Sequence, residues 1–279
     1  MSNTSALRKA CSLGLTTWLL IAALVPTASA QTLKVGGTGS SAPLLTLLFN
    51  EFRKTRPEAT LSQVSPPLGS GGAIKALASG RIDLALIGRP LKPEEQTGGG
   101  QYFALATTPF VLASSDGRKK GGFTSDELAA VYAGTLAKWD DGAPIRLILR
   151  ASFEADTLAL KALSPALAAA VDAAAQRPGM AMGNDDLDTL ELLVRTPGSL
   201  APTSLGLLTT TQTALRVFAL NGVTPALATL KDGSYPWRKE LIVVLPQTPT
   251  PLAEQFAAFL RGERAAALLR RYDYLPAKP

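Results

Sequence analysis

The sequence predicts an α/β protein, because short apolar strand signals alternate with amphipathic helix signals along most of its length. A capping box, Thr124 with Glu127, marks one helix start, and Gly80 and Gly134 mark two helix ends. The predicted strands are 33–36, 59–64, 82–87, 145–149, 205–208, 215–219 and 241–245, with extended segments at 102–105 and 109–113. The predicted helices are 43–52, a short segment ended by Gly80, 124–132, 156–163, 165–175, 186–195, 252–260 and 265–269.

Residues 1–30 predict a cleavable signal peptide that directs the chain to the periplasm. Arg8 and Lys9 form a positive start, residues 13–25 are an apolar run, and residues 28–30 fit a small-x-small cleavage site before Gln31. The apolar run is shorter than a membrane span requires. Cys11 is the only cysteine and lies within this segment, so the mature chain is expected to contain no disulfide.

The composition excludes several classes of chemistry. The sequence contains no histidine, which excludes Ser-His-Asp and Cys-His catalysis and the usual general base near neutral pH. Zinc sites built on histidine or cysteine are also excluded, and we predict no metal and no cofactor. The formal net charge is +6, but the basic residues are scattered apart from 118–120. We predict that this triplet is a solvated loop, and we predict no nucleic-acid partner.

Two segments rich in serine and glycine stand between a predicted strand and a predicted helix. Residues 37–42 (GTGSSA) fit the spacing of a dinucleotide fingerprint, and residues 69–72 (GSGG) precede the next helix. No acidic residue follows the second strand to hold a ribose, so an anion-binding helix start or a purely structural turn fits better than a nucleotide site. Helix N-termini that follow parallel strands lie at one edge of a sheet, so both segments can converge on one ligand.

Two arginines follow the ends of predicted strands. Arg150 ends the strand at 145–149 and is well placed for a bidentate contact with an oxyanion. The alternative interpretation is a surface ion pair with Glu154 or Asp156. For Arg89, beside Gly88, a simple charge at the rim of a site is the favoured interpretation.

The order and spacing of these motifs resemble the periplasmic phosphate-binding proteins of ABC importers, members of the two-lobed solute-receptor superfamily. The resemblance covers most of the mature chain and is carried by residues 37–41, 69–72, 82–84 and 89–91, then by Trp139, Arg150, 232–236 and 274–276. It implies a clamshell of two α/β lobes, each a mixed sheet flanked by helices, which closes on an oxyanion in the cleft. The implied lobes are residues 31–111 with 238–279, and residues 112–237.

The resemblance also implies a ligand site, formed by Ser40, Ser41, Ala42, Ser70, Gly71 and Arg150. The family usually has serine or aspartate at the position of Gly88, as an acceptor for the ligand's proton. It usually has a Ser-Gly-Thr cradle where this chain has Glu154-Ala155-Asp156. Two carboxylates there would repel a fully ionised anion. We therefore hypothesise that Glu154 or Asp156 replaces the missing acceptor and binds a protonated or hydroxylated ligand.

In function, the resemblance implies a monomeric receptor that captures a small anion, foremost phosphate, and passes it to an ABC permease in the inner membrane without chemistry. Two alternatives stay open. The chain is a divergent member that binds another small solute or acts as a sensor or interaction module, or it is a secreted phosphoester hydrolase using Ser70 or the carboxylates. The absence of histidine and of an S-x-x-K lysine counts against the hydrolase.

Overall fold

The computed structural model describes residues 31–96, 99–115 and 119–278. The predicted signal peptide with Cys11, and Arg118 of the basic triplet, lie outside these residues. Within the described ranges, no helix combines the length and the apolar character that crossing a membrane requires.

Strands and helices alternate along the described residues. The strands are β1 (Thr32–Gly37), β2 (Thr60–Gln63), β3 (Leu84–Ile87), β4 (Gln101–Ser114), β5 (Gly122–Phe123), β6 (Arg146–Arg150), β7 (Ala181–Gly183), β8 (Ser199–Ser204), β9 (Arg216–Leu220), β10 (Arg238–Leu245) and β11 (Leu275–Pro276). The helices are α1 (Ala42–Phe52), α2 (Gly69–Ala78), α3 (Ser125–Ala133), α4 (Ala155–Lys161), α5 (Pro165–Ala175), α6 (Asp186–Arg195), α7 (Leu205–Thr211), α8 (Leu227–Asp232), α9 (Pro251–Leu260) and α10 (Glu263–Arg271). A 3₁₀ turn, Gly39–Ser41, joins β1 to α1.

The main path of the sheet is mixed and has the strand order β2-β1-β3-β10-β4-β8-β6-β7. Strand β1 is parallel to β2 and β3, and β6 is parallel to β7 and β8. Strand β10 is antiparallel to β3 and β4, and β4 is antiparallel to β8. Strand β4 changes partner along its length, because residues up to Pro109 pair with β10 and residues from Phe110 pair with β8. We call the β2-β1-β3-β10 side the first section and the β8-β6-β7 side the second section.

Helices cover both faces of each section, because successive apolar side chains of a strand point to opposite faces. In β3, Leu84 and Leu86 join a core with α1, α9 and α10, whereas Ala85 and Ile87 join a core with α2. Strand β6 divides its apolar side chains in the same way, between a core with α3, α4 and α5 and a core with α6 and α7. These layers confirm the predicted α/β class.

Several local predictions differ from the structure. The strand predicted at 205–208 is wrong, because these residues begin helix α7 and the strand is Ser199–Ser204. A short apolar run does not distinguish a buried strand from a buried helix. Here the Ser204 hydroxyl accepts a hydrogen bond from the Leu207 amide and caps the helix. Helix α8 was not predicted, and the extended segments at 102–105 and 109–113 form the single strand β4.

The structure agrees with other local predictions. The Thr124–Glu127 capping box forms at the start of α3, and Gly134 ends that helix with a φ of 83°. The predicted boundary at 111 lies beside the point where β4 changes partner. The predicted boundary at 238 is the first residue of β10. The division into two lobes stays a prediction.

Candidate functional site

Five charged side chains form a cluster between the two sections. Arg150 is the last residue of β6, and Lys239 lies near the start of β10. Three carboxylates stand at helix starts: Glu154 precedes α4, Asp156 lies in the first turn of α4, and Asp186 is the first residue of α6. We call these five residues the cleft cluster.

The charges of the cleft cluster are paired at short range. Lys239 Nζ lies 2.5 Å from Asp156 Oδ1 and 2.8 Å from Asp186 Oδ1. Arg150 Nη2 lies 3.0 Å from Glu154 Oε2, and Arg150 Nη1 lies 3.7 Å from Asp156 Oδ2 and from Asp186 Oδ1. The ion pair of the alternative interpretation of Arg150 therefore forms, but it does not lie at the surface, since the Arg150 side chain is only 2% exposed. Two cations face three carboxylates, which leaves one negative charge in excess.

Burial and ion pairing act in opposite directions on the pKa values of this cluster. Burial alone would raise the pKa of Asp186, but Lys239 and Arg150 outweigh it and lower that pKa to about 2. Burial alone would lower the pKa of Lys239, but Asp156 and Asp186 outweigh it and raise that pKa. Burial raises the pKa of Glu154 above its ordinary range, against the effect of Arg150. Glu154 is thus the carboxylate whose surroundings favour a proton.

Arg150 keeps unused hydrogen-bonding capacity in spite of its ion pairs. Its Nε and Nη1 atoms are buried, and among the described residues neither has a hydrogen-bond acceptor. An unsatisfied buried donor costs on the order of 1–3 kcal/mol, and more when it is charged. An acceptor atom supplied from outside the chain would remove this cost.

The Gly39–Ser41 turn of the first section contacts the start of α6 in the second section. The Ser40 backbone N–H lies near the Asp186 carboxylate and helps to lower the pKa of Asp186. A Cβ on Gly39 would lie 3.1 Å from the Asp186 nitrogen, so a larger residue here would crowd the start of α6. The Ser41 hydroxyl donates to the Thr38 carbonyl at 2.9 Å. Ser41 and Ala42 line a cavity of about 20 Å³, which has room for about one water molecule.

The second predicted segment, residues 69–72, forms the first turn of α2 rather than preceding the helix. The Ser70 hydroxyl oxygen accepts a hydrogen bond from the Gly88 N–H at 3.1 Å. A Cβ at Gly88 would lie 3.2 Å from the Thr38 methyl group, so a larger residue at this position would be crowded. Glu154 Oε1 would be 4.0 Å from a Cβ on Gly69, which places this carboxylate beside the start of α2.

Arg89 is engaged away from the cleft cluster. Its guanidinium forms two hydrogen bonds of 2.7 Å with the Glu95 carboxylate. A Cβ on Gly71 would lie 3.8 Å from Arg89 Nη2, so the pair borders the first turn of α2. The interpretation of Arg89 as a charge at the rim fits this geometry.

The structure brings four of the predicted site residues into one place: Ser40, Arg150, Glu154 and Asp156. Ser70 and Gly71 lie in the first turn of α2, beside Glu154, whereas the Ser41 side chain bonds within its own turn. Lys239 and Asp186 were not predicted as site residues. Lys239 precedes the predicted strand at 241–245, and Asp186 stands at a helix start, where acidic residues are common for structural reasons. Within the described ranges, no group of at least three His, Cys, Asp or Glu side chains is suited to hold a metal ion.

The fold and the site define a class of protein: an α/β protein whose charged groups gather between two sections of a mixed sheet. A family profile described as a PBP superfamily domain matches residues 25–264. The chain therefore belongs to the PBP superfamily, which has the periplasmic-binding-protein fold.

Several similar proteins carry phosphate-related names. Phosphate-binding protein PstS 2 of Streptococcus pneumoniae is 30% identical over 108 residues, which are 39% of this chain and only 36% of that protein. A protein assigned as a phosphate ABC transporter substrate-binding protein of Clostridium perfringens, solved with bound phosphate, has a TM-score of 0.75 at 16% identity and covers 89% of this chain and 100% of that chain. An ABC-type phosphate transport receptor of Vibrio cholerae has a TM-score of 0.62 at 16% identity. The match covers 88% of this chain and 100% of that chain. At such identities the two structures show a shared fold.

Proposed function

We propose that this chain is an exported solute-binding protein that captures an oxyanion, foremost phosphate, in the cleft and delivers it to the permease of an ABC importer. The observation that carries the proposal is Arg150, a buried guanidinium at a strand end, whose Nε and Nη1 atoms have no hydrogen-bond acceptor among the described residues. A guanidinium binds an oxyanion through parallel, charge-assisted hydrogen bonds. The phosphate-related names of the relative and of both similar structures support phosphate as the first candidate.

In the proposed site, the first section supplies neutral donors and the second section supplies the charge. The donors are Ser40, Ser41, Ala42, Ser70 and Gly71, opposite Arg150. Ser70 suits this role, because its oxygen accepts the Gly88 N–H and its own proton has no acceptor among the described residues. Ser41 would exchange its bond to the Thr38 carbonyl for one to the ligand. Closure of the cleft on the anion is then a ligand-driven population shift.

The carboxylates of α4 are proposed to select a protonated ligand. Glu154 is the stronger candidate for the proton acceptor, since burial raises its pKa and its carboxylate lies beside the start of α2. Calorimetry with inorganic phosphate on the Glu154→Gln and Asp156→Asn variants tests this role. We expect weaker binding in at least one of them, and unchanged affinity and selectivity in both would contradict it.

The decisive experiment measures stabilisation by inorganic phosphate. Ligand binding to the folded state adds about 2.7 kcal/mol at a hundredfold excess over Kd. We therefore expect millimolar phosphate to raise the melting temperature of the wild type and to leave that of Arg150→Gln unchanged. Arg146→Gln is the matched control, because Arg146 lies on the same strand but is exposed. Equal responses of the two variants would contradict the proposal.

One observation favours an alternative within the same family. The cleft cluster has one negative charge in excess, which disfavours a doubly charged anion. The alternative is a divergent member that binds another small solute or acts as a sensor. Absence of any stabilisation by millimolar phosphate, together with stabilisation by another compound in a solute screen, would favour this alternative.

A further inference from the structure

We propose that the Asp186 carboxylate is an internal competitor of the solute, and that it holds the two sections together when no solute is bound. This role rests on the proposed function, because it concerns the same cleft. In it, Asp186 takes the place of the oxyanion at the Ser40 turn, and a solute anion has to displace it.

The first observation is the set of groups that bind Asp186. Its carboxylate accepts a hydrogen bond of 2.8 Å from Lys239 Nζ, and the Ser40 backbone N–H lies near enough to help lower its pKa. Arg150 Nη1 lies 3.7 Å from the same carboxylate. A backbone N–H, an ammonium and a guanidinium are the donors that recognise an oxyanion. The site therefore already contains an anion, and that anion belongs to the chain.

The second observation is that Asp186 is not needed to cap its own helix. The neighbouring Asp185 is the N-cap of α6, and its carboxylate accepts hydrogen bonds from the Leu187 and Asp188 amides. Asp186 is thereby free to point away from α6, toward the first section. Its contact is close, since a Cβ on Gly39 would lie 3.2 Å from the Asp186 Cβ.

The third observation concerns Arg150. Although three carboxylates surround it, its buried Nε and Nη1 atoms have no hydrogen-bond acceptor among the described residues. Asp186 thus compensates the positive charge of Arg150, but it does not accept a hydrogen bond from the Arg150 Nε or Nη1 atoms. A tetrahedral oxyanion offers several acceptor atoms and can satisfy both Arg150 and Ser40, which gives a solute a means of displacing Asp186.

As a consequence, the affinity of the receptor for a solute anion depends on how readily that anion replaces the Asp186 carboxylate. The closed arrangement is stabilised without solute, and each binding event gives up the bond of Asp186 to Lys239 and its contact with the Gly39–Ser41 turn. Removal of the competing charge also brings the cleft cluster to two cations and two carboxylates. Both effects raise the affinity for an anion and loosen the solute-free cleft.

The experiment compares Asp186→Asn with the wild type and with Asp172→Asn. Asp172 lies on α5, and its side chain is 57% exposed, so this control removes the same charge outside the cleft. Calorimetry with inorganic phosphate is expected to show binding to Asp186→Asn about tenfold or more tighter than to the other two proteins, within the usual range of coupling between sites. Small-angle X-ray scattering without phosphate is expected to show a larger radius of gyration for Asp186→Asn alone.

If the wild type binds phosphate and Asp186→Asn binds it with equal or lower affinity, the inference is overturned. If neither protein binds phosphate, the proposed function fails for phosphate. The scattering comparison then tests the inference alone. A larger radius of gyration for Asp186→Asn supports the inference, and an unchanged radius overturns it. Should Asp186→Asn not fold, Asp186→Ser replaces it, because it removes the same carboxylate and keeps a small polar side chain at the start of α6. The same expansion is then expected, and its absence overturns the inference.

Discussion

Lys239 Nζ lies 2.8 Å from Asp186 Oδ1, and this buried ion pair joins the start of β10 to the start of α6. Lys239 also lies 2.5 Å from Asp156 Oδ1, so a single ammonium compensates two carboxylates. The position of Lys239 is fixed by the sheet, where it is opposite Thr108 of β4. The polar cleft therefore depends on a cation from β10, the strand of the first section that pairs with β4.

Removal of this cation is expected to destabilise the protein strongly. Lys239→Met leaves two buried carboxylates without their shared partner, and breaking a buried ion pair in this way costs about 3–5 kcal/mol. Lys161→Met is the matched control, because Lys161 pairs with Asp172 near the surface, where such a pair contributes about 0–1 kcal/mol. Urea unfolding measures the loss in the free energy of unfolding for both variants. Equal losses would contradict a larger contribution of the buried Lys239 pair to stability.

The stability of the protein is expected to fall in acid partly through Asp186. Its folded-state pKa is lowered from 3.8 to about 2, so its contribution is complete above pH 3.8 and is lost as the pH falls through about 2. The facing groups are Lys239, Arg150, Asp156 and Glu154, and the raised pKa of Glu154 acts in the opposite direction. The free energy of unfolding is measured as a function of pH for the wild type and for Asp186→Asn. We expect the difference between the two proteins to narrow as the pH falls below 3.8. A difference that is constant down to pH 2 would contradict the assignment.

The turn at 232–236 is expected to stabilise β4 through Tyr235. The Tyr235 side chain is fully buried, and its hydroxyl donates a hydrogen bond of 2.6 Å to the Phe110 carbonyl, at the point where β4 changes partner. Tyr235→Phe should lower the free energy of unfolding by about 1–2 kcal/mol. Tyr102→Phe is the control, since Tyr102 is 53% exposed and should change little. Identical unfolding curves for wild type and Tyr235→Phe would contradict this expectation.

Processing of the N-terminal segment is expected to produce a mature chain that begins at Gln31. Ala28 and Ala30 fit the two small positions of a signal-peptidase site. Mass spectrometry of the protein recovered from the periplasmic fraction gives the mature terminus directly. Ala30→Arg should leave the unprocessed precursor, whereas Ser2→Arg, far from the cleavage site, should not. A full-length chain in the periplasm would contradict the prediction.

Local sequence patterns predicted most of the elements, because capping residues and helical periodicity act over a few residues. Helix α5 was predicted with its bounds, and the Asp185 cap of α6 was identified from the residue type and its position. The failure at 205–208 has a local cause as well, since a run of three leucines around one glycine fits either a strand or a helix. The position of Ser204, whose hydroxyl caps the helix, decided the outcome.

The sequence by itself determined the α/β class, the two serine-glycine helix starts and the arginine at the end of β6, because each follows from residues close together in the chain. Only the tertiary structure decided which groups Arg150 meets. Asp186 and Lys239 are 36 and 89 residues further along the chain, and their approach depends on how β10 and α6 are placed by the sheet. Electrostatic interactions depend on distance and burial, which a linear pattern does not contain.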